Sequence, residues 1–535
     1  MHLFKDENLI LPYPAKHKQD MELSWVYPNT YSIGMSGLGY QLIWWILEQE
    51  PDLLVRRAFT DQQENRWQYS ELIGFTLSWE LDYANIIQLL GQAGVPALSS
   101  LRDDSAPLIF GGGPVLTANP EPFADFFDVI LLGDAEVTIP NLVAAWRSVR
   151  SLPSRQERLR QLAKIDGLYV PACYRYIVED KNGPIQKIEP IYDDLPEYPR
   201  KQAFSAPEDY AAHSVILSPS GGWGDMFLLE LVRSCPQECR FCLASFLTRP
   251  FRFPSVDTAL AKIELARKHT KRVGLLGPSV TEHPHFSDLA AALLKMTDLE
   301  LSISSIRMDT IDPLILKMLV ALKQRSVTIA LESGSERLRS IMKKNLSEAE
   351  IWQAMDILAA SGIEQVKFYG IVGLPGEIEA DLGETVRLLT AIKKRYKNLR
   401  IVFGVSSFVP KAQTPFQWSP RDKDCARKLE YVRKNLAKVG IDVRAESHNW
   451  SDVQAYLSRS DRRVSKELLE IAESSGKLGS WKKLFRSEPE SCPSADFYVF
   501  RQIPQDEFLP WSHLLDAPRK GILDRHRQAA ESLMI

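Results

Sequence analysis

Three of the six cysteines in the chain fall within eight residues, in the segment FLLELVRSCPQECRFCLASF. They are Cys235, Cys239 and Cys242, separated by three and then two residues, whereas the other three cysteines are scattered. Cysteine thiolates are the usual ligands of iron–sulfur clusters. Three thiolates on a four-iron cluster leave one iron open, so this spacing predicts a [4Fe–4S] cluster with one iron available for chemistry.

Zinc binding and disulfide bonding are the alternatives for these cysteines. A structural zinc site needs a fourth ligand, and a predicted helix separates the cysteines from His269, His283 and His285. Six cysteines in 535 residues also do not make a disulfide framework. The spacing favours the iron–sulfur cluster and leaves zinc as the weaker alternative.

The cysteine segment begins a region, from Met226 to about Arg444, in which strand-like apolar runs alternate with helical periodicity. The strand-like runs are RVGLLG, LELSIS, SVTIAL, QVKFYGIVG and RIVFGVSSF. With the strand that enters the cysteine segment they give about six βα units, which predicts a partial (β/α)6 barrel. Active sites of such barrels collect at the carboxyl ends of the strands.

The segment CPQECRFC resembles the cluster-binding loop of radical S-adenosylmethionine (SAM) enzymes in its spacing, its preceding strand and the βα units that follow. The resemblance implies that the open iron chelates the amino and carboxylate groups of SAM. Reductive cleavage of SAM to methionine and a 5′-deoxyadenosyl radical is then implied, with an electron donor such as flavodoxin or ferredoxin. The backbone of Phe241, between the last two cysteines, is expected to lie against the adenine.

Two further strand ends are expected at the SAM site, the first by resemblance to this superfamily and the second by its position in the barrel. In GLLGPS, Gly277 and Pro278 correspond to the glycine-rich segment that meets the SAM amino group, although the usual Gly-Gly-Glu form is absent. In LSISSIRMDTID, Ser304 and Arg307 lie at the next strand end. We expect all four residues at the SAM site.

The segment VTIALESGSERLRSIMKKN is close to the superfamily's Glu-Ser-Gly-Ser…Met pattern. The resemblance implies that Glu332 holds the ribose hydroxyls of SAM and Lys344 its carboxylate, since a carboxylate suits a diol and a cation suits a carboxylate. The turn Gly-Leu-Pro-Gly-Glu, ending at Glu377, follows the fifth strand. Taken singly, Arg307, Glu332 and Glu377 are also compatible with strand-end caps or surface charges, so the prediction depends on their combination with the cysteines.

From Glu22 to about Arg147, apolar runs of strand length alternate with helical periodicity, which predicts a parallel α/β sheet. The runs are, in order, LSWVYP, GYQLIWWILEQE, LIGFTL, YANIIQLLGQAG, PLIFGGG and DVILLGD. This region, including FGGGPVLTANPEPFADFFDVILLGDAE, resembles the cobalamin (B12)-binding type of domain that precedes many radical SAM barrels. Residues 111–114 are expected to form a tight turn where the backbone approaches a ligand. No histidine lies between His17 and His213, so any cobalamin would be bound without a histidine ligand from this domain. A cofactor-free domain that recognises substrate or a partner is the alternative.

The predicted fold class is α/β, in three parts with a linker between the first two. The parts are a Rossmann-like, B12-binding-like domain (1–189), the radical SAM barrel (211–445), which is a partial (β/α)6 barrel, and a small, mostly helical region (446–535), and the linker covers residues 190–210. The layout resembles a radical SAM family of unknown substrate over essentially the whole chain. The net charge of −3 and the lack of a long apolar run predict a cytoplasmic protein with no membrane partner.

In the C-terminal region, Arg459, Asp461, Arg462 and Arg463 form a charged group. We interpret it as a helix start with a solvated face. Contact with a substrate or with RNA phosphates is the alternative.

The leading interpretation is an enzyme that uses SAM, with or without cobalamin, to modify an unreactive carbon of a substrate that the sequence does not identify. Methyl transfer is the first subclass with cobalamin; without it, hydrogen abstraction would lead to rearrangement, oxidation, or peptide or RNA modification. Methylthio transfer is disfavoured, because in the relatives it needs an N-terminal cysteine trio and only Cys173 precedes residue 235. A non-catalytic iron–sulfur redox sensor is the alternative from another class.

Overall fold

The computed structural model describes residues 3–17 and 19–534. The strands of the N-terminal region are β1 (Asn8–Leu9), β2 (Met21–Val26), β3 (Leu53–Ala58), β4 (Leu72–Thr76), β5 (Leu108–Gly112), β6 (Val129–Leu131), β7 (Leu168–Tyr169), β8 (Tyr174–Val178) and β9 (Ile185–Pro190). Its α-helices are α1 (Tyr31–Met35), α2 (Leu38–Glu48), α3 (Tyr83–Gln92), α4 (Pro114–Ala118), α5 (Ala135–Val149) and α6 (Arg155–Leu162).

The N-terminal sheet has the strand order β3-β2-β4-β5-β6-β7. Neighbouring strands are parallel except for β7, which runs antiparallel to β6. Every residue of β4 and β6 is buried, as expected for parallel strands covered by helices on both faces. The strand order reverses between β2 and β4, and ligands of such sheets bind at this point, outside the carboxyl ends of the strands.

The strands of the second region are β10 (Ile216–Leu217), β11 (Phe227–Glu230), β12 (Arg272–Leu276), β13 (Glu300–Ile303), β14 (Ser326–Glu332), β15 (Gln365–Val372), β16 (Arg400–Ser407) and β17 (Asp442–Ala445). Its α-helices are α7 (Leu243–Leu247), α8 (Val256–Arg267), α9 (Phe286–Leu293), α10 (Pro313–Ala321), α11 (Glu336–Ile341), α12 (Glu348–Ala360), α13 (Glu379–Arg395) and α14 (Cys425–Ala437).

The strands β11 to β17 form an arc of two parallel sheets. One sheet contains β11, β12 and β13, and the other contains β14 to β17 in order. A parallel bridge between Ile306 and Ile329 joins them. The predicted α/β fold class is confirmed, and β17 is one strand more than the six predicted.

The C-terminal region is helical, with α15 (His448–Arg459), α16 (Ser465–Glu473), α17 (Leu478–Leu484), α18 (Ala495–Val499) and α19 (Ala517–Glu531). Buried side chains of α15 to α18 belong to the same apolar core as the N-terminal sheet. This region therefore packs on the N-terminal sheet. None of the helices in residues 3–17 and 19–534 combines the length and the apolar character needed to cross a membrane.

The charged group at residues 459–463 is buried, so the solvated face expected for it is wrong. Arg462 donates to both carboxylate oxygens of buried Glu121, with Nε–Oε2 at 2.7 Å. Arg463 bonds Asp461 at 2.8 Å, and Arg459 donates to the backbone oxygen of Arg501. The Arg462–Glu121 pair joins residues 341 positions apart and ties the C-terminal region to the N-terminal region.

Candidate cluster and cofactor site

The cysteine loop runs from β11 to α7 and has an unusual backbone. Ser234 and Glu238 adopt left-handed φ angles of 68° and 56°, which non-glycine residues rarely adopt and which cost energy. The Cys242 N–H donates to the Cys239 carbonyl oxygen at 2.9 Å, closing the end of the loop immediately before α7. Arg240 anchors the loop to the end of α11 by donating to the carbonyl oxygen of Ile341 at 2.6 Å.

The three cysteine side chains lie close enough to influence one another. The pKa of the Cys239 thiol is raised to about 11, chiefly by burial and to a smaller extent by neighbouring Cys242. Burial also raises the pKa of Cys235, again with a contribution from Cys242. Metal binding must therefore displace protons from these thiols.

No three His, Cys, Asp or Glu side chains in the described residues converge closely enough to hold a single metal ion. An iron–sulfur cluster makes a different demand, because each thiolate binds its own iron. Lys344 and Arg307 act on Cys239 in the opposite direction to burial, lowering its pKa. A thiol trio beside two cations fits a cluster held by anionic thiolates.

Glu332 and Lys344, predicted as two separate SAM contacts, form a buried pair next to the cysteines. Lys344 Nζ lies 3.6 Å from Glu332 Oε1, and both residues are 7% exposed. Glu332 ends β14 with a left-handed φ of 66°. Burial raises the pKa of its carboxyl group and Lys344 opposes the rise. Both groups contribute to the pKa of Cys239, so strand end, lysine and cysteine meet at one site.

Arg307 follows β13 and faces the same site, but its guanidinium is already paired. It bonds Asp309 at 2.6 Å and its Nε lies 3.0 Å from Glu282 Oε1. Glu282 also accepts from Gln237 of the cysteine loop at 2.8 Å. Glu282 was not among the residues predicted from the sequence, although it is an acidic residue only five positions after Gly277. Ser304, exposed after β13, remains a prediction.

The remaining predicted residues lie beside the cysteine loop. A Cβ on Gly277 would lie 2.4 Å from Val232 Cγ2, so this glycine lets the end of β12 pack against the end of β11. Pro278 is exposed. The Phe241 ring packs against an apolar cluster that includes Met342 and Phe416. SAM contacts by these residues remain predictions.

Helix α19 also reaches the cysteine loop, which the sequence analysis did not anticipate. His526 Nε2 lies 3.4 Å from Glu238 Oε2, and its ring makes an edge contact with Phe246 at 5.3 Å. Glu238 pairs in addition with Lys343 at 2.5 Å and with Arg249. Because its partners are distant in sequence, no local pattern could have revealed this cluster.

In the N-terminal sheet, the predicted glycine turn at residues 111–114 overlaps the end of β5: Gly111 and Gly112 are the last two residues of the strand, and Gly113 makes the turn into α4. The atoms that come close to these glycines belong to the protein itself. A Cβ on Gly111 would lie 2.5 Å from the Phe127 ring. Gly113 has φ 109°, and a Cβ there would lie 2.7 Å from the Leu77 carbonyl oxygen. These glycines are explained by packing, so the turn by itself is not evidence of a bound ligand.

A cavity of about 280 Å³ separates this edge of the sheet from the helix that follows the cysteines. Its walls include Gly113 and Gly133 on the sheet side and Leu247, Thr248 and Arg249 at the end of α7. Ile33 follows β2 and Trp79 follows β4, the two strands between which the strand order reverses. Their side chains are about half exposed, at 49% and 47%. The edge of the sheet that faces the cysteine loop thus carries a cavity and exposed apolar side chains.

Comparison with known proteins gives two family matches in this chain. The family described as radical SAM proteins, N-terminal, matches residues 59–171, and the radical SAM superfamily matches residues 229–389. An uncharacterised protein of Methanocaldococcus jannaschii is 32% identical over 83% of this chain and 89% of its own length. A tRNA-2-methylthio-N(6)-dimethylallyladenosine synthase of Xanthomonas oryzae is 25% identical over 31% of this chain and 38% of its own.

Two solved structures share the fold at low sequence identity. The radical SAM methyltransferase TsrM from Kitasatospora setae, with cobalamin and a [4Fe–4S] cluster bound, has a TM-score of 0.53 and 13% identity, covering 85% of this chain and 99% of that one. The cobalamin-dependent SAM radical enzyme OxsB, with aqua-cobalamin bound, has a TM-score of 0.50 and 14% identity, covering 90% and 64%. With the family match over the cysteine loop and the long archaeal alignment, this chain belongs to the radical SAM superfamily of enzymes.

Proposed function

We propose that Cys235, Cys239 and Cys242 hold a [4Fe–4S] cluster and that the chain uses SAM to modify an unreactive carbon of its substrate. The observation that supports this is the meeting of the cysteine loop with the buried Glu332–Lys344 pair at the carboxyl ends of β11 and β14. When bound, the cluster and SAM supply reductive cleavage of a carbon–sulfur bond of SAM.

The protein's own part is to bind, orient and shield SAM. Lys344 offers three N–H donors for the SAM carboxylate, and Glu332 offers acceptor oxygens for the ribose hydroxyls. Both lie in a buried setting where charged hydrogen bonds are strong. Phe241, Gly277, Pro278, Ser304 and Arg307 complete the proposed SAM site, and electrons come from a donor such as flavodoxin or ferredoxin.

The direct test is whether the anaerobically reconstituted, reduced protein converts SAM to 5′-deoxyadenosine, measured by liquid chromatography and mass spectrometry. We expect turnover in the parent protein and none in a Cys239→Ala variant. A redox sensor, the alternative from another class, would give no 5′-deoxyadenosine despite a full complement of iron.

A second candidate is cobalamin-dependent methyl transfer. It is favoured by the position of the N-terminal sheet, whose carboxyl edge faces α7 across the cavity of about 280 Å³. The reversal of strand order between β2 and β4 is the usual ligand position in such sheets. Ile33 and Trp79 offer apolar surface there, and no histidine lies between His17 and His213. These residues fit a corrinoid bound without a histidine ligand from this domain.

Cobalamin binding is tested by incubating the anaerobic protein with hydroxocobalamin and removing unbound cofactor by gel filtration. We expect near-stoichiometric retention, and a Trp79→Asp variant should retain less. If the parent protein retains none, the N-terminal region recognises substrate or a partner instead. The methyl-transfer subclass would then be abandoned, leaving radical modification without cobalamin, with RNA or peptide among the possible substrates.

A further inference from the structure

A second cavity, of about 220 Å³, lies where the predicted linker, α7 and α19 meet. Its walls include Lys201 of the linker, Phe246 of α7, Arg249 just after that helix, and side chains from residues 515–523 around the start of α19. Lys201 and Arg249 also line the cavity of about 280 Å³, so the two cavities are neighbours. Because a cavity of about 150 Å³ already holds a molecule of the size of benzene, this one has room for a small organic ligand.

The wall of this second cavity is mostly apolar. Phe246, Leu515 and Leu523 are 8%, 6% and 3% exposed and belong to the same apolar core as the N-terminal sheet. The charged residues on the wall are all cationic, and they are Lys201, Arg249 and Arg519. Such a wall suits a ligand with an apolar body and a negative charge, provided that one of the three cations is free to bind it.

The two arginines are not free, because each has a carboxylate partner within the protein. Arg249 Nη2 donates to Glu238 Oε1 in the cysteine loop. Arg519 Nε lies 3.3 Å from Asp516 Oδ2, at the beginning of α19. These two charges are therefore already balanced.

Lys201 has no carboxylate partner. Its Nζ donates to the backbone oxygen of Leu247 at the end of α7, and it forms no ion pair within residues 3–17 and 19–534. Asp134 acts on Lys201 from a distance, but its carboxylate already pairs with Arg252 and lies 3.4 Å from Arg233. Lys201 is thus the cation of this cavity whose charge is not balanced.

The surroundings make the lone charge of Lys201 costly, since buried charges are normally paired. The pKa of its amine is lowered to about 8, chiefly by burial and next by the charge of Arg519. At pH 7 such an amine is still mostly protonated. Lys201 is partly exposed and lines both cavities, so its side chain is accessible from them. An ammonium group has three N–H donors, and the Leu247 carbonyl accepts one of them.

We propose that the second cavity binds a small organic carboxylate with an apolar body. The carboxylate accepts from the Lys201 ammonium, and the apolar body lies against Phe246, Leu515 and Leu523. One unbalanced positive charge matches a single negative charge, which favours a carboxylate over a phosphate dianion. This site is additional to the proposed SAM site, and its occupant would contact α7 and α19 together.

The test uses the cluster-loaded protein at pH 7 with saturating SAM, and three probes of one length: hexanoate, the neutral amide hexanamide and the cation hexylamine. Binding is measured by isothermal titration calorimetry. We expect hexanoate to bind, hexanamide to bind more weakly and hexylamine not to bind. Lys201→Met removes the charge, and Lys201→Gln removes it while keeping an N–H donor. Each should weaken hexanoate binding about tenfold, since a hydrogen bond to a charged group is lost.

The matched control is Lys317→Met, which removes an exposed lysine of α10 that lines neither cavity and should leave hexanoate affinity unchanged. Absence of hexanoate binding, equal binding of hexylamine, or displacement of hexanoate by SAM or hydroxocobalamin would each overturn the proposal. Unchanged hexanoate affinity in Lys201→Met, with a lower melting temperature, would show that Lys201 only caps α7. Iron content and 5′-deoxyadenosine formation, measured on the same samples, separate such a failure from a failure of the proposed function.

Discussion

The cysteine loop and the glycine turn of the N-terminal sheet both have unusual backbone, but the reasons differ. At the cysteine site the left-handed residues are Ser234, Glu238, Glu332 and Lys343, none of which gains conformational freedom from its residue type. At the turn, Gly111 and Gly113 carry no side chain because Phe127 and Leu77 occupy the space.

Packing explains the glycine turn, and the end of α11 explains Lys343, whose N–H donates to the Ser340 carbonyl oxygen. Neither reason applies to Ser234, Glu238 and Glu332, which hold left-handed conformations around the three cysteines. A buried ion pair also distinguishes the cysteine site from the glycine turn. The Glu332–Lys344 pair is costly to bury unless it serves a ligand or is well hydrogen-bonded. A motif is therefore stronger evidence of function when the residues around it hold strained backbone or buried charges that lower the stability of the fold and that packing does not explain.

The largest effect is expected from Cys239→Ala. In the proposed site each thiolate would hold one iron and the loop has no fourth cysteine to replace it, so iron content and the visible absorption of the cluster should be lost. Cys173→Ala, which alters an equally buried thiol in the N-terminal region, should retain both. Full iron retention by Cys239→Ala would contradict the assignment of the cysteine loop as a cluster site. The loop would then resemble the glycine turn, whose sequence pattern does not by itself indicate a ligand.

Arg462→Met tests how firmly the N-terminal sheet is held to the rest of the chain. The change leaves the Glu121 carboxylate buried without its main partner, which typically costs about 3 to 5 kcal/mol. Thermal unfolding should begin at a markedly lower temperature. Arg427→Met, which breaks ion pairs on an exposed face of α14, is the control and should change the melting temperature little.

Glu332→Gln should weaken SAM binding by about 1.5 to 3 kcal/mol, the usual value of a hydrogen bond to a charged group. The affinity is measured by equilibrium dialysis on the cluster-loaded protein, whose iron content should be unchanged. Glu300→Gln, at the exposed amino end of β13, is the control. If the SAM affinity of Glu332→Gln were unchanged, Glu332 would have a structural role and no contact with SAM, like the glycines of the turn.

Gly113→Ala should have the smallest effect, a loss of about 1 to 3 kcal/mol in stability, because φ is 109° and the new methyl meets the Leu77 carbonyl. Iron content should not change. Gly91→Ala, in α3 with open space around it, should instead stabilise the protein slightly. If Gly113→Ala kept full stability and lost only bound cobalamin, the turn would contact the ligand directly. Packing would then not be the reason for this glycine.

Much of the fold could be predicted because its strands are apolar runs. The runs at β4, β5, β14 and β15 are strands in the structure. The strand β3 was missed because Arg56 and Arg57 interrupt its apolar pattern, and buried Arg57 finds its partner Glu7 fifty residues away. The strand β17 was missed because it is polar and largely exposed at the end of its sheet.

The cysteines and the Glu332–Lys344 region could be identified from local patterns, since motif residues lie at strand ends that the fold brings together. The direct pairing of Glu332 with Lys344, the link from Glu282 to the cysteine loop and the contact of His526 with Glu238 could not. Each depends on how separate segments pack. The same limit explains why the buried arginines at 459–463 were interpreted as solvated.

In the proposed site, three thiolates leave one iron of the cluster open for SAM beside Glu332 and Lys344. The most direct measurement is the electron paramagnetic resonance spectrum of the reduced protein with and without SAM. We predict a clear change of the spectrum on adding SAM to the parent protein, and a much weaker response at the same SAM concentration in Glu332→Gln. A reduced cluster whose spectrum does not respond to saturating SAM would contradict the account.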